Sequence, residues 1–184
     1  MKAAAQRHPD PLRRAFGGRR GMTPERKSIT MAKRYYLAYG SNLNIQQMRQ
    51  RCPSARIIGT AELEGWQLLF KGSLTGSYLT IEQKPSGRVP VAVWEVTRED
   101  ERSLDWYEGF PNFYYKKELE LDVTGIRSGT VRRRRAFVYI MHEERPIGIP
   151  TKAYLRVCAE GYHSFGFDVE YLLKAYEHSV EAAR

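Results

Sequence analysis

The run Tyr35-Tyr36-Leu37-Ala38-Tyr39-Gly40-Ser41-Asn42-Leu43-Asn44-Ile45-Gln46-Gln47-Met48-Arg49-Gln50-Arg51-Cys52-Pro53 changes its period in the middle. Residues 35–39 are apolar or aromatic without interruption, the pattern of a strand covered on both faces, and Gly40 ends it. Asn44 then stands where a helix N-cap belongs, with Gln47 three residues on. Ile45, Met48 and Cys52 recur at helical spacing until Pro53 stops the helix. The unit is strand, tight loop, helix. In the loop, Gly40 permits a sharp turn and a ligand close to the main chain, while N–H groups at a helix start point outward. That makes either a cradle for an anion or oxyanion, or a plain strand-to-helix turn with an Asx-type cap. Spacing alone leaves both readings open.

Outward from this unit the chain reads as short strands broken by Gly, Pro and Asn. Strands are expected over residues 55–62, 66–70, 78–82 and 89–96, with turns at 71–76 and 85–87. A short helix is expected over 98–107, closing at Gly109. Residues 114–123 alternate, with Tyr115, Leu119, Leu121 and Val123 on the face read as inward and Tyr114, Lys116, Glu118, Glu120 and Asp122 on the other. Another strand is expected over 135–141, entered by a basic turn at Arg132–Arg135. Helices are expected over 152–162 and 168–179, the second carrying Val169, Leu172, Leu173 and Tyr176 on one stripe. Many short strands with a few helices between them point to an α+β domain whose sheet curls into a small barrel.

The chain has 184 residues, of which 42% are hydrophobic, enough for one sizeable core. No stretch is long and apolar enough to span a bilayer, and a cytoplasmic, membrane-free protein is expected. The net charge of +9 suggests nucleic-acid binding until its distribution is considered. Residues 1–31 hold eight Lys and Arg against Asp10 and Glu25, so two thirds of the surplus lies there. That segment lacks apolar periodicity and reads as a disordered basic extension ahead of a domain over 32–184. A transit segment or a translation start at Met31 are the alternatives. Little basic surplus remains in the domain, and Arg132–Arg135 lack interleaved aromatics, so no nucleic-acid partner is expected. Cys52 and Cys158 are too few for a disulfide framework and read as reduced thiols. The four histidines lie far apart without metal-ligand spacing, so no metal is expected.

A second chemical element lies in Leu104-Asp105-Trp106-Tyr107-Glu108-Gly109-Phe110. With Gly109 as a left-handed cap, Glu108 falls at a helix C-terminus, where the dipole disfavours another anion. Trp106, Tyr107 and Phe110 can desolvate it, and both effects raise its proton affinity. The plainer alternative is a solvent-facing Glu before a turn. Ser41 as a nucleophile is weak, because no Gly-x-Ser-x-Gly elbow surrounds it.

Together, Tyr39-Gly40-Ser41-Asn42-Leu43, Leu-Asp-x-x-Glu-Gly some 65 residues later and a Tyr soon after resemble the γ-glutamylcyclotransferase-like family, over roughly residues 35–179. The resemblance implies a small mixed β-barrel with flanking helices and an enzyme that closes a γ-glutamyl amide or amine to 5-oxoproline without metal or organic cofactor. It implies Glu108 as general acid/base, with Tyr39, Gly40, Ser41, Asn42, Leu43 and a tyrosine best matched by Tyr115 binding a small γ-glutamyl substrate. A noncatalytic ligand-binding protein of the same fold is the rival. Nothing in the sequence sets an oligomeric state.

Overall fold

The computed structural model describes residues 33–73 and 75–184, and the expectations for residues 1–31 lie outside them. In chain order the elements are β1 (Arg34–Ala38), a 3-10 turn (Ser41–Leu43), α1 (Ile45–Arg51), β2 (Arg56–Ser73), β3 (Gly76–Val96), α2 (Arg98–Glu108), β4 (Tyr114–Gly125), β5 (Val131–Met141), α3 (Lys152–Phe165) and α4 (Glu170–Ala182). The strands close into a barrel in the order β1-β3-β2-β4-β5. All ladders are antiparallel except the closing one, where β1 meets β5 in parallel at Tyr36 and Phe137. The result is the small mixed barrel with flanking helices that the sequence implied.

The four strands expected between residues 55 and 96 merge into the two long strands β2 and β3. The Pro and Gly at 85–87 do not turn the chain. They lie in an interruption of the ladder, where Glu64 pairs with Arg88 and Trp66 with Gln83, so Gly65 alone faces four residues of β3. A second shift lies between Ile57 and Gly59. Such irregularities bend and twist a ribbon, which lets one long hairpin wrap around the barrel. Turn residues mark a bulge as readily as a turn.

β5 begins at Val131, four residues earlier than expected, so Arg132–Arg135 form strand rather than a basic turn. They pair with Val123 to Glu120 across β4, where Arg133 meets Asp122 at 3.7 Å and Arg135 meets Glu118. Opposite charges facing each other across a ladder are compatible with an exposed strand end. Further along, Ala136 to Met141 are all buried, so both faces of β5 are covered there. One face shares the barrel interior. The other lies under α2, toward which Lys116 reaches Glu101 and Asp105 at 2.6 Å each. In α4 the buried stripe is Leu172, Ala175 and Ser179, while Val169 and Leu173 are exposed, a rotation from the expected face.

Candidate active site

The loop after β1 is held from three sides. Tyr39 donates its hydroxyl to the Tyr139 carbonyl at 2.7 Å, tying the strand end to β5. The 3-10 turn closes through Leu43 N–H to the Gly40 carbonyl at 2.9 Å and Asn44 N–H to the Ser41 carbonyl at 3.0 Å. Asn44 caps α1 as expected, accepting from the Gln47 amide at 3.1 Å, and its side-chain amide donates to Glu160 of α3. Leu43 is fully buried. Behind it the α3 backbone comes so close that a Cβ on Gly161 would sit 2.5 Å from the Leu43 Cβ. A Cβ on Gly40 would lie 3.4 Å from both the Leu79 Cβ and the Tyr154 hydroxyl, so larger side chains there meet a filled wall.

Glu108 reaches the same loop from α2. The helix starts at a complete capping box, Thr97 with Asp100, and stops at Gly109 with φ 63°, so Glu108 is its last residue. Its carboxylate accepts from the Asn42 side-chain amide at 2.8 Å, and that amide also donates to the Tyr36 hydroxyl at 2.8 Å. The Asn42 carbonyl oxygen accepts from Arg51 at 2.6 Å; Arg51 in turn donates to Gln47 and lies 3.6 Å over the Tyr107 ring. Asn42 is thus fully occupied, and its rotamer aims Glu108 into the cavity. Burial raises the Glu108 carboxyl to about 7, against the opposing pull of the Arg51 charge and the Asn42 hydrogen bond. A group poised there passes protons in both directions at neutral pH.

The surroundings responsible for that burial differ from those expected. Trp106 is 86% exposed and Tyr107 and Phe110 are partly so. Glu108 instead meets tyrosines brought from four other segments, Tyr36, Tyr39, Tyr114, Tyr139 and Tyr154, which with Gly40–Asn42 and Leu79 line a small inner chamber of about 20 Å³. It adjoins a cleft of about 270 Å³ whose walls include Ser41, Tyr78, Trp106, Tyr107, Phe113 and Tyr154. Ser41, Glu108, Tyr114 and Tyr154 belong to both. Larger hollows beside α4 and beside Arg56 and Arg127 contain none of these residues.

Tyr39, Gly40, Ser41, Asn42 and Glu108 therefore come together, with Leu43 packed beneath the loop. Tyr115 does not join them, and the face expected to turn inward is corrected. Tyr114 is buried and lines both chambers, whereas the Tyr115 hydroxyl donates to the exposed Glu143 at 2.6 Å. The β4–β5 register runs unbroken from Tyr114 with Met141 to Thr124 with Val131, so no bulge exchanges the two tyrosines. Leu121 and Val123 are buried as expected, but at the other end of the strand the buried residue is Tyr114, which with Tyr139 lies on the opposite face of the ladder and meets Glu108 and α2. Alternation was read correctly for Leu121 and Val123 and wrongly for the two tyrosines. Tyr36, Arg51, Tyr139 and Tyr154 were not legible as site residues. Only the Gln47–Arg51 spacing of α1 carried a local signal, and nothing local linked it to Glu108.

Neither cysteine offers a nucleophile: both are buried free thiols, raised to about 12 by burial. Among the described residues no cluster of three His, Cys, Asp or Glu is arranged to hold a metal, and no helix is long and apolar enough to cross a membrane.

A barrel with a strand-to-helix glycine loop facing a helix-terminal carboxylate is what the sequence resemblance implied, and comparison with known proteins identifies the family. The family model described as gamma-glutamyl cyclotransferase, AIG2-like matches residues 36–156. The chain belongs to that family, and it is an enzyme of the cyclotransferase kind. The human protein named gamma-glutamylcyclotransferase is 32% identical over 151 residues, covering 77% of this chain and 78% of its own. The bovine protein of the same name is 31% identical over 147 residues, covering 76% and 75%. A solved structure named gamma-glutamyl cyclotransferase superposes with a TM-score of 0.65 at 27% identity, over 78% of this chain and 86% of that one.

Proposed function

We propose that the chain converts a γ-glutamyl amide or amine to 5-oxoproline and the free amine, with Glu108 as general acid/base. The observation that carries this reading is the Glu108 carboxyl, raised to about 7 by burial and aimed by Asn42 toward the loop 40–42. The substrate supplies its own nucleophile. Its α-nitrogen bonds to the γ-carbonyl carbon, the amide C–N bond breaks, and a five-membered ring remains. Over the cycle two protons leave the α-ammonium nitrogen and two reach the departing nitrogen. Glu108 accepts each from the first and delivers it to the second, a transfer that general catalysis by a positioned carboxylate accelerates by roughly 10²–10⁴-fold.

The remaining roles follow from position. The first N–H groups of the 3-10 turn have no acceptor within it, and Ser41 and Asn42 line the chamber with Glu108, so these groups can hold the substrate carboxylate or the developing oxyanion. Tyr114 takes the wall position that the sequence reading assigned to Tyr115. The reading requires no metal, organic cofactor or second macromolecule, and it suits a cytoplasmic setting. The test is incubation of the purified protein with a panel of γ-glutamyl dipeptides and γ-glutamyl amines, with release of 5-oxoproline followed. Folded protein that yields none from any member would refute it.

A further inference from the structure

The walls of the outer cleft are aromatic, and their polar tips are already engaged. Tyr154 and Tyr78 meet edge to face at 5.2 Å, Tyr78 and Phe113 at 6.3 Å, and Phe113 and Tyr114 at 5.1 Å, a continuous chain of T-shaped contacts. The Tyr114 hydroxyl donates to the Leu79 carbonyl at 2.8 Å, and the Leu79 amide donates to the Tyr154 hydroxyl at 3.1 Å. The Tyr78 hydroxyl donates to the Thr75 carbonyl at 3.3 Å. With those groups tied to backbone, and the Tyr107 hydroxyl paired with Ser41, six of the ten lining residues offer ring surface beside Ser41, Thr75 and Glu108. Trp106 stands at its lip, 86% exposed, on a helix whose packing does not require it.

Charge is equally one-sided. Among the described residues that line the inner chamber and the cleft, Glu108 is the only one with a formal charge. Two guanidinium groups touch the walls without lining them: Arg51, bonded to Asn42 and Gln47 and stacked on Tyr107, and Arg145, 5.1 Å from the Phe113 ring. A carboxylate on the departing group would enter a partly desolvated space beside an acidic residue with no lining cation to receive it.

Resting on the cyclisation reading above, we infer that the outer cleft is a leaving-group subsite selective for an uncharged aromatic amine, with Trp106, Tyr78 and Phe113 as its recognition surface. The γ-glutamyl head lies at the junction of the two chambers, against loop 40–42 and Glu108. The departing amine extends between the rings, where edge-to-face and stacked contacts favour an aromatic group beyond its area alone.

Matched substrates separate the two components. γ-Glutamyl-phenylalaninamide and γ-glutamyl-phenylalanine differ only in the carboxylate; γ-glutamyl-benzylamide and γ-glutamyl-methylamide differ only in the ring. The expected result is kcat/KM at least about tenfold higher for the first of each pair, the discrimination that one buried apolar contact commonly provides. Trp106→Ala, at an exposed position that should fold, is expected to narrow the benzyl-to-methyl ratio at least threefold, mainly through KM. Equal or inverted ratios with 5-oxoproline still released, or a ratio unmoved by Trp106→Ala, would overturn the subsite while leaving the cyclisation intact. No 5-oxoproline from any of the four would overturn both.

Discussion

At Glu108 function and stability oppose each other. Its folded carboxyl titrates near 7 against an ordinary value of 4.5. Between those values the folded chain holds a proton that the unfolded chain has released, so this group's contribution is fully present below about 4.5 and is lost as pH rises through 7. Glu108→Gln removes that loss. We expect the variant to melt with the parent at pH 4 and to be more stable at pH 8 by about 1–3 kcal/mol, while 5-oxoproline release falls roughly 10²-fold or more. A variant that melts lower at pH 8, or that retains activity within about threefold, contradicts the assignment. Arg51 supplies a second, independent check, because its charge opposes the effect of burial on Glu108. In Arg51→Leu the carboxyl should hold its proton to higher pH, so the acidic limb of kcat/KM, expected near 7 in the parent, should move upward by about one unit. An unmoved limb in a folded variant would mean that Glu108 is not the group being titrated.

Among the elements, α3 and β4 shape the site without supplying its carboxylate. α3 buttresses the loop from behind, and Gly161 lets it do so: a Cβ there would meet the Leu43 Cβ at 2.5 Å and the Asn44 nitrogen at 2.8 Å. Because the obstruction includes backbone, Gly161→Ala should push helix and loop apart. We expect a loss of about 1–3 kcal/mol, read as a lower melting temperature, together with a fall in turnover as Asn42 shifts away from Glu108. Unchanged melting and turnover would show that the contact relaxes freely. On β4 the two adjacent tyrosines should separate cleanly. Tyr114→Phe deletes the hydroxyl bonded to the Leu79 carbonyl inside the site, and should lower kcat/KM severalfold. Tyr115→Phe deletes a surface bond to Glu143 and should leave it unchanged. The reverse order would restore the original assignment of Tyr115.

For the whole molecule, the barrel and its flanking helices share one core among the described residues, running from Leu37 through Phe70, Ile81, Val93 and Val138 to Leu172. A chain beginning at Met31 is therefore expected to melt with the full-length protein and to keep its activity; a drop of several degrees would show that residues 1–30 contribute to the fold. What the sequence determined by itself were features written in neighbouring residues. The N-cap at Asn44, the left-handed stop at Gly109 and the placement of Glu108 on the last turn of α2 follow from local backbone chemistry, and each was read correctly. So were the strand, tight loop and helix around Gly40 and the α+β class. What only the tertiary structure decided depends on partners far apart in the chain. Whether Gly and Pro at 85–87 turn the chain or bulge it depends on β2. Which face of β4 meets the cavity depends on where α2 docks, because adjacent tyrosines, 114 and 115, occupy its two faces and β5 is buried on both sides opposite them. The shell that raises Glu108 is assembled from β1, β3, β4, β5 and α3, and its aiming residue Asn42 lies 66 positions away. Periodicity reports that a side chain is buried; which other buried side chains it meets is settled by the closure of the barrel.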